Sequence, residues 1–183
     1  MKYLAFLLLL VPSIANAGSR IVRYSMGGDI RVDNAPNGAV LRTMGGDIRL
    51  RHAAGNVVVK TMGGDIRVDR LEGSLDAGTM GGSVEVEVLN AGVGRTIEIS
   101  SMGGSIEVTL PKDFAADFEI ELEQDRDDPS NRIISDFPLK MQQSKRHRWF
   151  RKVNVITATG RNGNGGTRVH LWTAGADITI RRR

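Results

Sequence analysis

The sequence predicts an all-β chain: a single-domain, parallel β-solenoid-like stack of repeats of about 18 residues, with a C-terminal irregular, capping region. Three observations carry this expectation. One phrase recurs as Met26-Gly27-Gly28-Asp29-Ile30, Met44-Gly45-Gly46-Asp47-Ile48, Met62-Gly63-Gly64-Asp65-Ile66, Met80-Gly81-Gly82-Ser83-Val84 and Met102-Gly103-Gly104-Ser105-Ile106, with steps of 18, 18, 18 and 22 residues between the methionines. A fixed period of this length marks supersecondary units that stack on one another. Between the phrases, apolar and polar residues alternate with the period of a half-buried strand. Glycine and β-branched residues recur too often for helix.

The elements follow in order. Lys2, an apolar run over residues 4–11 and an Ala15-Asn16-Ala17 cleavage pattern read as a signal peptide over residues 1–17, with residues 18–183 exported. The apolar run is too short to span a bilayer as a helix. With no cysteine at the cleavage pattern, a lipid anchor is not expected, and with none in the chain an exported life proceeds without disulfides. The length suits one domain.

Repeats are expected over about residues 24–110. In one unit, Asp47-Ile48-Arg49-Leu50 alternates, Ala54-Gly55-Asn56 signals a turn, and residues 57–61 form a second, β-branched run before Gly63-Gly64. The preceding unit reads alike, through Asn37-Gly38. Each unit is thus strand, turn, strand, turn. A solenoid is favoured over an antiparallel meander because identical residues recur at identical phase. Stacking them aligns Ile30, Ile48, Ile66, Val84 and Ile106 as an interior ladder. Two-faced and three-faced coils both fit 18 residues.

Alternation turns Asp29 and Arg31 outward, with Asp47/Arg49 and Asp65/Arg67 likewise. From Ser83 onward the sign changes, so Arg67 is expected to face Glu85. The turn residues are Gly27, Gly28, Asp29, Gly45, Gly46, Asp47, Gly63, Gly64, Asp65, Gly81, Gly82, Gly103 and Gly104. The glycines read as tight turns needing positive φ or close approach, and the aspartates as acceptors for turn amides. A calcium ladder on Asp29, Asp47 and Asp65 is the sharper alternative, disfavoured because calcium takes six to eight oxygens. The methionines read as adaptable packing or partly exposed surface. An exposed sulfur row suited to a soft metal such as Cu(I) is the alternative.

After Leu110-Pro111 the composition changes. An irregular region is expected over about residues 111–156, although residues 118–123 alternate cleanly. A terminal repeat is expected over about residues 157–181, where Thr173-Ala174-Gly175-Ala176-Asp177-Ile178 is a worn copy of the phrase. The Thr-x-Gly-Gly-Asp-Ile phrases, Leu110-Pro111 with Ala116-Asp117, the stretch Ile134-Ser135-Asp136-Phe137-Pro138-Leu139 and the ending Gly165-Gly166, Leu171-x-Thr173, Asp177-Ile178 resemble the bacterial adhesin family of exported β-repeat domains of unknown function. The resemblance covers about residues 24–181. It implies a β-solenoid-like fold and an envelope setting. This chain departs from it in having Met-Gly-Gly where Ser-Gly is commoner, and in its highly basic segment 145–152.

No catalytic or cofactor-binding residue, and no resident metal, is expected. His52, His147 and His170 have no metal-ligand spacing, and no HExxH, C-x-x-C or P-loop occurs. Glu85/Glu87 and Asp127/Asp128 read as solvated charge rather than a glycosidase pair. One basic-aromatic segment stands out over residues 145–152. It supplies the candidate partner-binding residues Arg146, Arg148, Trp149, Arg151 and Lys152, suited to an envelope protein or an anionic envelope polymer or lipid. Nucleic acid is not expected of an exported chain. The bland alternative for the segment is an edge strand guarded by charge. The function expected is therefore a non-enzymatic exported envelope protein, periplasmic or at the cell surface, serving adhesion, interaction or scaffolding. The alternatives are an envelope-stress sensor module binding a membrane or anionic partner, and a polysaccharide-binding or -cleaving solenoid. Aromatic residues at 5 % argue against the last of these.

Overall fold

The computed structural model describes residues 18–90, 92–124, 130–148 and 151–183, with 147, 148, 151 and 152 described in backbone only. The expected leader, residues 1–17, lies outside them. Among the described residues there is no helix. The strands are β1 (Ile21–Ser25), β2 (Ile30–Ala35), β3 (Ala39–Thr43), β4 (Ile48–Lys60), β5 (Ile66–Thr79), β6 (Val84–Asn90), β7 (Thr96–Ser101), β8 (Ile106–Leu110), β9 (Ala116–Gln124), β10 (Ile133–Ser135), β11 (Lys140–Arg148), β12 (Arg151–Asn162), β13 (Thr167–Ala174) and β14 (Ile178–Arg182).

They fall into two files. In the first, β2, the leading half of β4, the leading half of β5, β6, β8, β14 and β10 pair in parallel in that order. In the second, β1, β3, the trailing halves of β4 and β5, β7, β13 and β9 pair in parallel. The antiparallel strands β12 and β11 extend that file. Because β4 and β5 run continuously round the bend at Gly55 and Gly73, the two files are one curled sheet. The coil therefore has two strand files, parallel through the repeats, because chemically equal residues gain most by stacking on one another.

The core lies between the files. Ile30, Ile48, Ile66, Val84, Ile106 and Ile178 stand in register along the first file and are all buried. Leu41, Val59, Ala77, Ile99 and Leu171 do the same along the second. Both rows belong to one apolar cluster. The last 22-residue step keeps this register, Leu75 pairing Ile97, because the extra residues sit in the corner between β6 and β7.

The region after Leu110 corrects the expectation of irregular structure over residues 111–156. Most of its described length is strand, because Phe118, Ile120 and Leu122 alternate with Asp117, Glu119 and Glu121 and give β9 a buried face. The expected terminal repeat divides as well. Residues 157–162 belong to β12, and only 167–182 form a coil. That coil is interleaved, not terminal: β13 lies between β7 and β9, and β14 lies between β8 and β10. The chain thus passes over one coil position and fills it last. Beyond it, Phe137 is buried against Phe118, with ring centroids 5.2 Å apart, and the Arg182 guanidinium lies 4.7 Å from the Phe137 centroid.

Candidate interaction surfaces

Each Met-Gly-Gly phrase carries the chain from the second file to the first, and its geometry is built from hydroxyls. Thr43, Thr61 and Thr79 each donate through Oγ1 to the carbonyl of the second glycine in the preceding turn: Gly28, Gly46 and Gly64, all at 3.0 Å. Ser101 and Thr173 do the same to Gly82 and Gly104 at 2.9 Å. Thr43, Thr61, Thr79 and Ser101 also accept from the amide of their own second glycine, at 3.4, 3.3, 3.1 and 2.9 Å. All are buried. A buried hydroxyl needs such partners, and here one file of hydroxyls stitches successive turns together. Reasoning from the sequence passed over this file. Its signal is plain: the residue before each methionine is Ser25, Thr43, Thr61, Thr79 or Ser101.

The glycines divide by position. A β carbon on Gly64 would stand 2.2 Å from the Gly46 carbonyl oxygen, and one on Gly104 would stand 2.0 Å from that of Gly82. The first glycines, Gly27, Gly45, Gly63, Gly81 and Gly103, have nothing closer than 3.5 Å. None of the glycines of these phrases has positive φ. Close approach at the second glycine is the requirement. Positive φ is found at the opposite corner, as at Gly38 with φ 87°, and on the phrase side only in the worn sixth turn, at Gly175 with φ 81°.

The aspartates act between coils and not within their own turn. Asp29 Oδ1 accepts from the Asp47 amide at 3.0 Å, Asp47 from Asp65 at 2.9 Å, and Asp65 from Ser83 at 2.7 Å. Ser105 continues the row by a side-chain bond to Ser83 at 3.3 Å, and Asp177 accepts from the Arg132 amide at 2.7 Å. Each charged acceptor strengthens its bond. Among the described residues no three His, Cys, Asp or Glu side chains converge on a metal position.

The methionines face solvent. Met44, Met62, Met80 and Met102 are 50–54 % exposed and Met26 is 84 % exposed. They form one file along the outer corner.

The charged face of the first file is paired along its length. Arg31, Arg49 and Arg67 are in register, and Arg67 stands opposite Glu85 and forms an ion pair with it. Asp69 takes Arg67 at 2.7 Å and Arg49 at 3.2 Å. Partial burial pushes the Asp69 carboxyl up, but the hydrogen bonds from Arg67 and Arg49 prevail and hold it below the usual carboxylate range. The same Asp69 bond, assisted by Glu85, holds Arg67 above its ordinary value against desolvation. Farther along, Arg181 reaches Glu107 at 2.7 Å and Arg183 reaches Glu87 at 2.6 Å. Asp29, Arg31, Asp47, Arg49, Asp65 and Arg67 line a shallow cleft on this face. On the other file, a hydrogen bond from Arg161, followed by one from the Gly166 amide, keeps Asp117 low.

The basic segment lies on β11 and β12, where Arg148 pairs Arg151 at the closing end of the hairpin. β11 is the edge of its file, and residues 140–146 are exposed. Arg146 meets Glu121 at 2.7 Å. The side chains of Arg148, Arg151 and Lys152, and Trp149 altogether, lie outside the described residues.

Comparison with known proteins adds one match. The family model for Toastrack DUF4097 matches residues 20–181. No curated protein and no solved structure matches the chain. A match that runs from before β1 into β14, on a β-solenoid-like frame, means that this chain belongs to the Toastrack family.

Proposed function

We propose that the protein is a non-enzymatic, exported interaction or scaffold module of the bacterial cell envelope, with an adhesin-type role. The observation that carries the reading is the outer surface of the coil stack. Identical side chains recur there at about 4.8 Å spacing on a backbone tied by continuous ladders, with turns stitched by buried hydroxyls. Such a frame holds an extended set of contacts at little cost in ordering on association. Sites of this kind read a partner by repetition instead of by a pocket.

The anionic contact of this reading is the basic segment over residues 145–152, with Arg146, Arg148, Trp149, Arg151 and Lys152 meeting a phosphate-bearing or acidic envelope partner. The test is fractionation and pull-down from intact envelopes with the wild-type chain and an R146A/R148A/R151A variant. The reading expects the variant to lose envelope association at an unchanged melting temperature. Equal association of the two chains would rule out the hairpin as the contact. A sensor module docked on an anionic membrane partner is the second reading, favoured by the basic sequence of the edge strand β11 and the start of β12. Binding to anionic vesicles without any captured protein would select it.

A further inference from the structure

The fold accounts for the hydroxyl, the second glycine and the aspartate or serine of the repeat phrases, but not for the methionine. The sixth turn, Thr173-Ala174-Gly175-Ala176-Asp177, makes the same hydroxyl bond to the coil before it with alanine in the methionine position. The hydroxyl bond between coils therefore forms without the thioether, in a turn that differs from the other five in having Gly175 at φ 81° and Ala176 in place of the second glycine. Yet Met26, Met44, Met62, Met80 and Met102 occupy that position without interruption, and every one is at least half exposed. Burial does not explain them either.

Their placement is that of a ligand array. The turns stack in register, the first glycine of each lying against the one before: a β carbon on Gly45, Gly63, Gly81 or Gly103 would come within 3.9 Å of the α carbon of Gly27, Gly45, Gly63 or Gly81 respectively. Successive methionines are thus one rung apart, about 4.8 Å. Met26 and Met44 together line one shallow depression with Tyr24, Ser25, Arg42 and Thr43. Two metal–sulfur bonds of about 2.3 Å, the length found for zinc thiolates, span roughly 4.6 Å end to end. Neighbouring thioethers on flexible side chains can therefore share one ion without moving the backbone. Uncharged sulfur ligands select soft monovalent ions over hard ones. The chain has no cysteine to compete for such an ion. His52 lies away from the corner, on β4, beside Glu72 at 3.2 Å.

We propose that the methionine file is a linear binding site for soft d10 monovalent cations, Cu(I) or its surrogate Ag(I), each held between thioethers of adjacent coils. The proposal goes beyond the interaction reading and needs neither export nor a partner protein.

Adjacency is the property to test, with Ag(I) as a redox-inert probe titrated into the full chain. M44L/M80L keeps three methionines of the file but leaves no two on neighbouring coils. M26L/M102L also keeps three, and those three are contiguous. Tethering a second ligand at a matched distance raises affinity by roughly 100-fold or more. Wild type and M26L/M102L are expected to bind Ag(I) alike per site, and M44L/M80L to bind on the order of 100-fold more weakly. M141L, which changes an exposed methionine outside the file, is expected to bind as wild type does. Methyl-labelled methionine spectra of the unmutated chain give a readout that does not depend on variant folding. Ag(I) should shift the Met44, Met62 and Met80 methyl resonances and leave Met141 in place. Equal affinities of the two double variants would overturn the proposal and leave the file as an apolar contact strip. So would wild-type binding no tighter than that of free methionine, or shifts no larger at the file than at Met141.

Discussion

Gly63 and Gly64 are adjacent and chemically identical, yet a methyl group would meet them differently. On Gly64 it would stand 2.2 Å from the Gly46 oxygen, which is backbone and cannot yield, whereas on Gly63 the nearest atoms are at 3.8 Å. Gly64→Ala is therefore expected to destabilise by at least about 1–3 kcal/mol. Gly63→Ala should stay within about 0.5 kcal/mol. Urea melts of the two variants check the pair, and equal effects would show that the close approach is not the constraint. Thr61→Val removes the hydroxyl that serves both Gly46 and Gly64 and leaves buried partners unsatisfied. It should cost about 1–3 kcal/mol. Asp69 gives a pH dependence. Against partial burial, the hydrogen bonds from Arg67 and Arg49 hold its folded-state pKa below the ordinary aspartate value, so its contribution is complete above that ordinary value and is lost as pH falls through the folded one. The stability gap between wild type and D69N should stay level from neutral pH to about pH 4 and narrow below it. A gap that widened with acid would contradict the pairing with Arg67 and Arg49.

Among the elements, β5 lies in the middle of the repeats, with β4 on one side and β6 and β7 on the other, while β2 has a partner on one side alone. Ile66 and Ile30 occupy the same phase of the repeat but not the same surroundings. Ile66→Ala should cost about 2–5 kcal/mol, since the cavity it leaves is closed in by neighbours on both sides. Ile30→Ala should cost less, because the outer coil can relax around the loss. Chemical denaturation of both variants tests this, and an equal or reversed order would mean that the end coil is as well packed as the middle. The strands themselves were legible in the sequence because the period of two and the 18-residue period reinforce each other. The pairing of Arg67 with Glu85 followed from the same phase. β9 was legible as alternation. Its role as a member of the stack was not, because its partner β13 begins at Thr167, far along the chain. The hydroxyl file escaped for another reason: a threonine before a turn has an ordinary solvated reading, and only the stacking of carbonyls beneath it makes the hydroxyl a buried connector.

At the scale of the molecule the interleaved coil sets how the protein holds together. β13 joins β7 to β9, and β14 joins β8 to β10, so the segment from Ala116 onward is attached through residues made last. Native-state hydrogen exchange should show β7, β13 and β9 opening as one unit and β1 and β2 opening at lower free energy. Deletion of residues 167–183 should leave β9 to β12 unprotected while β3 to β6 keep their protection. Retained protection in β9 would mean that the hairpin and β9 fold without the inserted coil. The sequence by itself determined the all-β class, the repeat length, the buried ladder and the outward charge rows. These depend on the phase of residues close along the chain, and phase is written in local order. The tertiary structure alone decided that the coil has two strand files, that its second glycines are required by contact and not by φ, that the methionines stand in the open, and that the final coil is seated inside the stack. Each of these depends on which backbone lies against which across a gap of one or more coils, and local order carries no record of that.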